Sequence, residues 1–484
     1  MALTTDKLTS SPTDIEEAIN ETSSNSDAFT RLDQLNKEYG ATWDSPSDSN
    51  DPYNWSTPRK ISIAMVFSVG QLITLMAASM IAAALDDIIV DLAIDEATGQ
   101  IVFSTYFLGL AFGPFVVAAF SEVHGRKVVW VYSQVWFIFW NLVSPFGHFK
   151  GLMIFARLMA GCGASVGTTL TGPVMADMFS ISHRGRSMAI ASFLPFLGPS
   201  LGPIIGGFMT QWVQWQWIFY IMSIFSTFPT TLGIFIIRES YTPLLLRRKS
   251  PTPSPATTKI KPLLLPSLLR PISLLLRRPI IQLLALPLAL NFGLYSLILS
   301  TYATLFITRY GQPPGQASLH YLTISLGGTL AAQIGARMMD VIHARLKTRN
   351  RNNLSLPECR VPYMLPGFIF VAAGFFWYAW AAQATAYWAV VDAGVAILAY
   401  QLDEFGDHGA SAGAATRCLM YVASFWFPIF APGLYEALGY GWGNSIFGFA
   451  WVVFAWPMVP VLWVCGGRLR ALGRVEGEHG VVGV

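Results

Sequence analysis

Charged side chains inside long apolar stretches are the residues of this sequence whose chemistry most needs an explanation. Arg157 stands near the start of one such stretch and Asp177 near its end, and Asp392 interrupts a shorter one. A charge in such a place is costly unless it faces protein or water, so it indicates a functional site. A positive charge beside a proton-carrying group also promotes proton release. Snorkelling of Arg157 to the interface and capping of the following loop by Asp177 are the alternatives.

Membrane-spanning helices are the elements that must position these charges. Hydrophobic residues make up 53% and charged residues 12% of the 484 residues, and that charged share is about half the value for soluble domains. The apolar residues come in blocks of about 20, enough to cross a bilayer. We predict twelve spans, numbered in chain order: 61–84, 101–120, 128–147, 152–177, 187–210, 217–237, 281–307, 319–339, 364–383, 387–402, 411–435 and 443–465.

Basic residues are concentrated in alternate loops, those after spans 2, 4, 6 and 8. The loop after span 1 instead carries Asp86, Asp87, Asp91, Asp95 and Glu96. The positive-inside rule therefore predicts that both termini and the central loop are cytoplasmic. Residues 1–55 are polar and lack the apolar core of a signal peptide, so we expect a disordered cytoplasmic tail there. Residues 468–484 form the other cytoplasmic tail.

The chain divides into two halves. A six-helix bundle is expected over 56–238 and a second over 281–467, with a basic cytoplasmic linker at 239–280. The linker mixes leucines with arginines and suits attraction to anionic lipid; a regulatory site is the alternative. Six spans, a linker and six spans are typical of secondary transporters built from two parallel halves.

Three short motifs indicate how such halves would move. The loop after span 2 reads SEVHGRK, in which a carboxylate and basic residues can form a latch at helix ends. Spans 4 and 5 contain RLMAGCGASVG and LGPSLGPIIGG, where small residues allow close helix contact and prolines permit a bend. The motif residues are Glu122, Gly125, Arg126 and Lys127 for the latch, Arg157, Gly161 and Gly163 in span 4, and Gly198, Gly202, Pro203, Gly206 and Gly207 in span 5.

These motifs resemble those of the major facilitator superfamily, and the span 5 motif resembles that of its antiporters. The latch matches only in part, because Ala118 and Phe120 replace the expected Gly and Leu. DPYNWS before span 1 and ASAGAATRCLMY in span 11 are similar to fungal drug:proton antiporters. The resemblance implies an all-α major facilitator fold of two six-helix bundles. It also implies proton-coupled export by alternating access, with Arg157 and Asp177 as the proton-coupling candidates.

The resemblance places the substrate between the halves, near the middle of the bilayer. Span 1 has no carboxylate cluster, which favours an apolar and neutral or weakly charged compound. The polar or aromatic candidates for its lining are Gln71, Thr168, Asn291, Tyr295, Gln333 and Phe425.

We therefore expect a transporter that exports a drug, a toxin or a fungal secondary metabolite. Its partners are the small hydrophobic substrate, protons and the lipid bilayer, and the plasma membrane is the expected location. We expect a monomer without enzymatic activity, cofactor, metal site or nucleic-acid partner. A nutrient or siderophore importer of the same superfamily is the alternative.

Span 10 departs from the family resemblance, which implies a longer apolar helix at this place. Here only AVVDAGVAILA follows Trp388 before Tyr400. Three interpretations stay open. The span is short and strained, Asp392 is functional, or the gene model has lost an exon and the product is defective in transport.

Overall fold

The computed structural model describes residues 30–179, 194–249, 275–330, 361–399 and 410–471, apart from 38, 40, 147 and 148, together with the isolated residues 188, 191, 273, 341 and 345. These residues form helices and short connections, and within the described part of the chain there is no strand. Seven helices in this part are long and apolar enough to cross a membrane.

The N-terminal half contains spans 1 to 6. Its helices are Thr57–Ser79 (span 1), Glu96–His124 (span 2), Arg126–Val143 (span 3), Lys150–Met178 (span 4), Gly198–Thr210 (the described part of span 5) and Gln216–Ile236 (span 6). Span 1 continues through a 3-10 turn, Met80–Ala84, into the helix Leu85–Asp91. Three of the acidic residues expected in the first loop therefore belong to this helix, because apolar residues between them keep it packed.

The C-terminal half follows the helix Thr242–Lys249 and the linker. Its helices are Pro279–Tyr310 (span 7), Pro314–Leu319 followed by helical residues 322–330 (span 8), Val361–Gln383 (span 9), Trp388–Ala399 (span 10), Ala410–Ala455 (span 11 and the start of span 12) and Met458–Ala471. Spans 11 and 12 are joined without a loop, because Gly439 has a φ of 70° and glycine turns the chain there without steric cost.

Span 10 is short in its described part. Its helix Trp388–Ala399 has 12 residues, which is about 18 Å at 1.5 Å per residue, against about 30 Å of hydrocarbon. Residues 400–409 lie outside the described residues. Asp392 is buried in this helix, with 8% of its surface exposed.

Two pairs of helices supply prominent contacts between the halves. Span 2 packs against span 11, where the rings of Phe107 and Tyr421 stack with centroids 6.5 Å apart. Span 5 packs against the beginning of span 8, where Ser325 Oγ donates a hydrogen bond of 2.6 Å to Ser200 Oγ. Both contacts join a helix of the N-terminal half to a helix of the C-terminal half.

The two ends of the bundle differ in charge. Arg126, Lys127 and Lys249 lie at one end, which we call the basic end. Asp91 and Asp95 lie at the other, the acidic end.

A described part of the predicted disordered tail makes specific contacts at the basic end. Arg31 Nη1 lies 2.8 Å from Asp51 Oδ2, and Lys249 Nζ lies 3.0 Å from Asp48 Oδ2. Trp43 is buried, with 3% of its surface exposed. One of these ion pairs lies within the tail, and the other joins the tail to the end of the helix Thr242–Lys249.

Candidate functional site

The glycines of span 5 form a face that packs directly against span 1. A Cβ added at Gly202 would lie 2.5 Å from the carbonyl oxygen of Met76, and one at Gly198 would lie 2.8 Å from Leu75 Cβ. Gly206 meets the backbone of the next turn of span 1 in the same way. The glycines are therefore required by backbone-to-backbone contact, as expected for small residues four apart.

A second face of span 5 reaches the C-terminal half. A Cβ at Gly207 would lie 2.7 Å from the carbonyl oxygen of Pro314 and would overlap Ser318 Oγ. Pro203 is buried inside the same helix. One helix thus touches span 1 of its own half and the start of span 8 of the other half. Span 5 is thus in close contact with both halves, as the small residues of its motif allow.

Span 4 crosses two neighbours closely at its own glycines. A Cβ at Gly161 would lie 3.1 Å from Gly109 Cα of span 2, and one at Gly163 would lie 2.8 Å from the amide nitrogen of Phe137 of span 3. Span 4 is consequently fixed in the interior of the N-terminal half, and this position determines what surrounds Arg157.

Arg157 is fully enclosed, with 1% of its surface exposed, so it does not snorkel to the interface. Its Nη1 donates a hydrogen bond of 3.1 Å to the carbonyl oxygen of Ala77, and its guanidinium lies 4.5 Å from the centre of the Tyr106 ring. Its Nε and Nη2 have no hydrogen-bond partner. A buried cation without a carboxylate partner is costly.

Arg157 and Asp177 are not brought together. They lie about 30 Å apart along one helix at 1.5 Å per residue, with Asp177 at the basic end. The two proton-coupling candidates are therefore separate sites, and not one cation beside one carboxyl group. Both belong to span 4, whose length separates them.

Asp177 instead joins the predicted latch. Its Oδ2 lies 3.5 Å from Arg126 Nε and accepts a hydrogen bond of 3.3 Å from Ser240 Oγ. Arg126 Nη1 also donates to Ser121 Oγ at 2.6 Å. The ends of spans 2 and 4 are thus tied to the residues that follow span 6.

The carboxylate that caps span 3 is Glu239, and not Glu122 as the sequence suggests. Glu239 accepts hydrogen bonds from the backbone N–H groups of Arg126 at 2.8 Å and Lys127 at 3.2 Å. Gly125 makes this approach possible, since it has a φ of 94° and a Cβ there would overlap the carboxylate. Glu122 is exposed. The sequence could not distinguish them because the cap comes from a distant span.

We expect Glu239→Gln to lower the free energy of unfolding by about 1–3 kcal/mol, the value of hydrogen bonds to a charged group. The neutral amide still accepts a hydrogen bond but loses its attraction to the positive helix end. Thermal unfolding of the purified protein in detergent measures the change. Glu436→Gln is the matched control, because Glu436 is exposed. Equal stability of the two variants would contradict the capping role.

Two substrate-lining candidates lie together at the junction of the halves. Thr171 Oγ1 donates a hydrogen bond of 3.4 Å to Gln71 Oε1. One turn away, the carbonyl oxygen of Thr168 accepts a hydrogen bond of 2.7 Å from Arg417 Nη1 of span 11. Sequence reasoning missed Arg417, although an arginine in an apolar span was a sufficient signal.

The other candidates lie elsewhere. Asn291 and Tyr295 are buried one turn apart on span 7, and Asn291 Nδ2 and Tyr295 Oη have no partner. Phe425 is half-buried beside Trp426, and Gln333 lies outside the described residues. In the described part of the chain no cluster of His, Cys, Asp and Glu could hold a metal ion.

Comparisons with known proteins agree with this arrangement. Residues 67–402 match the profile of the Major Facilitator Superfamily. The chain is 36% identical over 416 residues to "Probable efflux pump mfs2" of Aspergillus flavus, a match that covers 80% of this chain and 97% of that protein. It is 31% identical over 457 residues to "Efflux pump vrtL" of Penicillium aethiopicum, covering 90% of each.

Among solved structures, the fold is similar to the xylose transporter XylE from E. coli in a partially occluded inward-open conformation. The TM-score is 0.62 at 13% identity, and the match covers 84% of this chain and 98% of that one. At this identity the similarity concerns the fold alone. It confirms the all-helical fold predicted from the sequence.

Proposed function

Because the chain belongs to the Major Facilitator Superfamily, we propose that it is a proton-coupled antiporter that exports small hydrophobic compounds. The protein is a multi-pass membrane transporter of this superfamily and not an enzyme. Its relation to fungal efflux pumps confirms the resemblance found in the sequence. The direction of transport, the coupling ion and the cargo are the proposal.

The proposal that transport is outward is supported by the similarity to two proteins described as efflux pumps, along 80% and 90% of this chain. The packing of span 5 supports it, because the glycines that resemble the antiporter motif hold that helix against span 1 and the other half. An importer of the same superfamily is the competing function, which no feature of these contacts favours.

The proposed cargo is an apolar compound with few polar groups, such as a drug, a toxin or a secondary metabolite. Phe107 and Tyr421 supply aromatic surface at the junction of the halves. Asn291 Nδ2 and Tyr295 Oη are free to form hydrogen bonds. Such sites are mainly apolar, with a few polar groups that fix orientation.

The proposed cycle follows alternating access. The basic end faces the cytoplasm, as the positive-inside rule requires, and the acidic end faces outward. Protonation from outside favours the inward-open state. Binding of cargo in the inward-open state favours return to the outward-open state. Arg157 and Asp177 remain candidates for the proton pathway. We place the protein in the plasma membrane as a monomer.

Efflux from living cells tests the proposal. Yeast cells that express the chain are loaded with the lipophilic dye rhodamine 6G, energised with glucose and compared with cells that carry the empty vector. We expect faster dye release, and a protonophore should abolish the difference. Dye accumulation above the vector control would indicate an importer and contradict the proposal. Release that persists with the protonophore would contradict proton coupling.

A further inference from the structure

A cluster of titratable side chains lies in the C-terminal half, apart from the motifs described above. Asp392 of span 10 accepts hydrogen bonds from Tyr302 Oη at 2.5 Å and shares one of 2.9 Å with His320 Nδ1. The other ring nitrogen of His320, Nε2, lies 2.9 Å from Gln312 Oε1. Span 7, span 10 and the start of span 8 each contribute to this cluster.

The imidazole of His320 is held in one orientation. Its ring stacks on Phe306, with ring centroids 3.7 Å apart and ring planes at 8°. The ring of Trp388 lies beside it, with the centroids 5.6 Å apart. The side chains of His320 and Asp392 are 10% and 12% exposed. The cluster is thus enclosed but not sealed, as a proton site open to one side must be.

The hydrogen bonds fit the imidazolium form. Carboxylate and amide oxygens are acceptors, so Nδ1 and Nε2 must both carry a proton when they face Asp392 Oδ2 and Gln312 Oε1. Loss of the Nε2 proton leaves a lone pair there. A half-turn of the Gln312 amide, whose two ends are nearly indistinguishable in shape, then presents an N–H donor to it. Both protonation states therefore keep every hydrogen bond.

We propose that His320 and Asp392 form the proton-binding site of this transporter, with Tyr302 and Gln312 as positioning residues. The proposal rests on the proposed antiport. A proton from water at the acidic end binds the Nε2 lone pair and forms imidazolium, and the charge of the pair rises from −1 to 0. Release returns the proton to water and restores the neutral ring.

Several other titratable groups on the surrounding elements have hydrogen-bond partners of their own, whereas Tyr378 Oη has none among the described residues. On span 7, Arg309 donates to the carbonyl oxygen of Ala382 and Tyr310 to that of Ala386. Tyr321 Oη donates to the carbonyl oxygen of Leu299. The remaining groups facing this region are Tyr378, whose ring lies 6.1 Å from that of Tyr302, Asp86, which accepts from Thr304 Oγ1 at 3.5 Å, and Tyr435 and Tyr440, which stack on each other.

The same segment connects the proton site to the interface between the halves. Ser318, two residues before His320, fills the space left by Gly207 of span 5. The backbone N–H of Tyr321 donates to the carbonyl oxygen of Ser318 at 3.1 Å, so the turn that carries His320 is closed on this serine. A charge change at His320 therefore acts on a segment that contacts the other half.

Nitrogen NMR of the full chain in lipid nanodiscs tests proton binding without any cargo. The protein has seven histidines, and His320→Gln identifies the ring signals of His320. We expect the Nε2 signal to change between its protonated and unprotonated positions between about pH 5 and pH 8. Asp392→Asn removes the negative charge beside Nδ1 and should alter the ring signals of His320. A ring signal that stays constant over this range would overturn the proposal.

Vesicles with purified protein test whether this proton is the coupled one. We expect His320→Gln to lose rhodamine 6G accumulation driven by a pH gradient while dye-for-dye exchange persists. His124→Gln is the matched control, because His124 is exposed at the basic end. Full gradient-driven accumulation by His320→Gln would overturn the proposal. Absence of such accumulation in the unmodified protein would contradict the proposed antiport instead, since the NMR signal needs no transport.

Discussion

Replacing Gly202 by alanine lowers dye efflux by about tenfold or more. The new Cβ would lie 2.5 Å from the carbonyl oxygen of Met76 and would overlap Ser79 Oγ. Overpacking of this kind costs about 1–3 kcal/mol, and 1.4 kcal/mol corresponds to a tenfold change in an equilibrium between states. The added methyl group would therefore push span 5 away from span 1, and span 5 could no longer move in close contact with it. Efflux from cells, normalised to the amount of protein in the membrane, measures the effect.

Gly172→Ala provides the matched control for this substitution. Gly172 lies in span 4, and nothing is found within 4 Å of a Cβ added there. The same chemical change in a membrane helix should thus leave efflux near the unmodified rate. Wild-type efflux by Gly202→Ala, or an equal loss in both variants, would contradict the account of close helix contact.

Arg157→Met separates the role of Arg157 in folding from its role in transport. Methionine has a similar length and removes a buried cation that has no carboxylate partner, so the free energy of unfolding should stay unchanged or rise by about 1–4 kcal/mol. Efflux should fall by about tenfold or more, which corresponds to about 1.4 kcal/mol, because the charge proposed for the proton pathway is lost. Thermal unfolding and efflux measured on the same preparation distinguish the two effects.

Arg157→Lys is the companion variant. It keeps the charge but not the planar group that lies on the Tyr106 ring, and these two side chains are not equivalent at a stacked site. We expect efflux between that of Arg157→Met and the unmodified protein. If Arg157→Met were unstable yet exported dye normally per folded molecule, Arg157 would be structural only.

The sequence predicted best those features that depend on local pattern. Blocks of apolar residues predicted the helical fold, and the spacing of Gly198, Gly202 and Gly206 predicted a closely packed face, which the structure places against span 1. Both properties follow from residues near each other in the chain.

Contacts between spans that are distant in the chain could not be predicted from the sequence. The latch carboxylate was expected at Glu122, within the motif, but Glu239 from the end of span 6 caps the helix. His320 is a single histidine at the beginning of a span, and only the fold brings Asp392 and Tyr302 to it. Of the three interpretations of span 10, these hydrogen bonds favour a functional Asp392.

Transport by purified protein in vesicles tests the central claim of proton-coupled export most directly. An acidic lumen and an alkaline exterior are imposed, rhodamine 6G is added outside, and a trapped dye reports luminal pH. The account predicts that rhodamine 6G accumulates in the lumen while protons leave it, and that nigericin, which collapses the pH gradient by exchanging K+ for protons, abolishes the accumulation. Accumulation that is independent of the gradient, or rhodamine 6G and protons moving in the same direction, would contradict it.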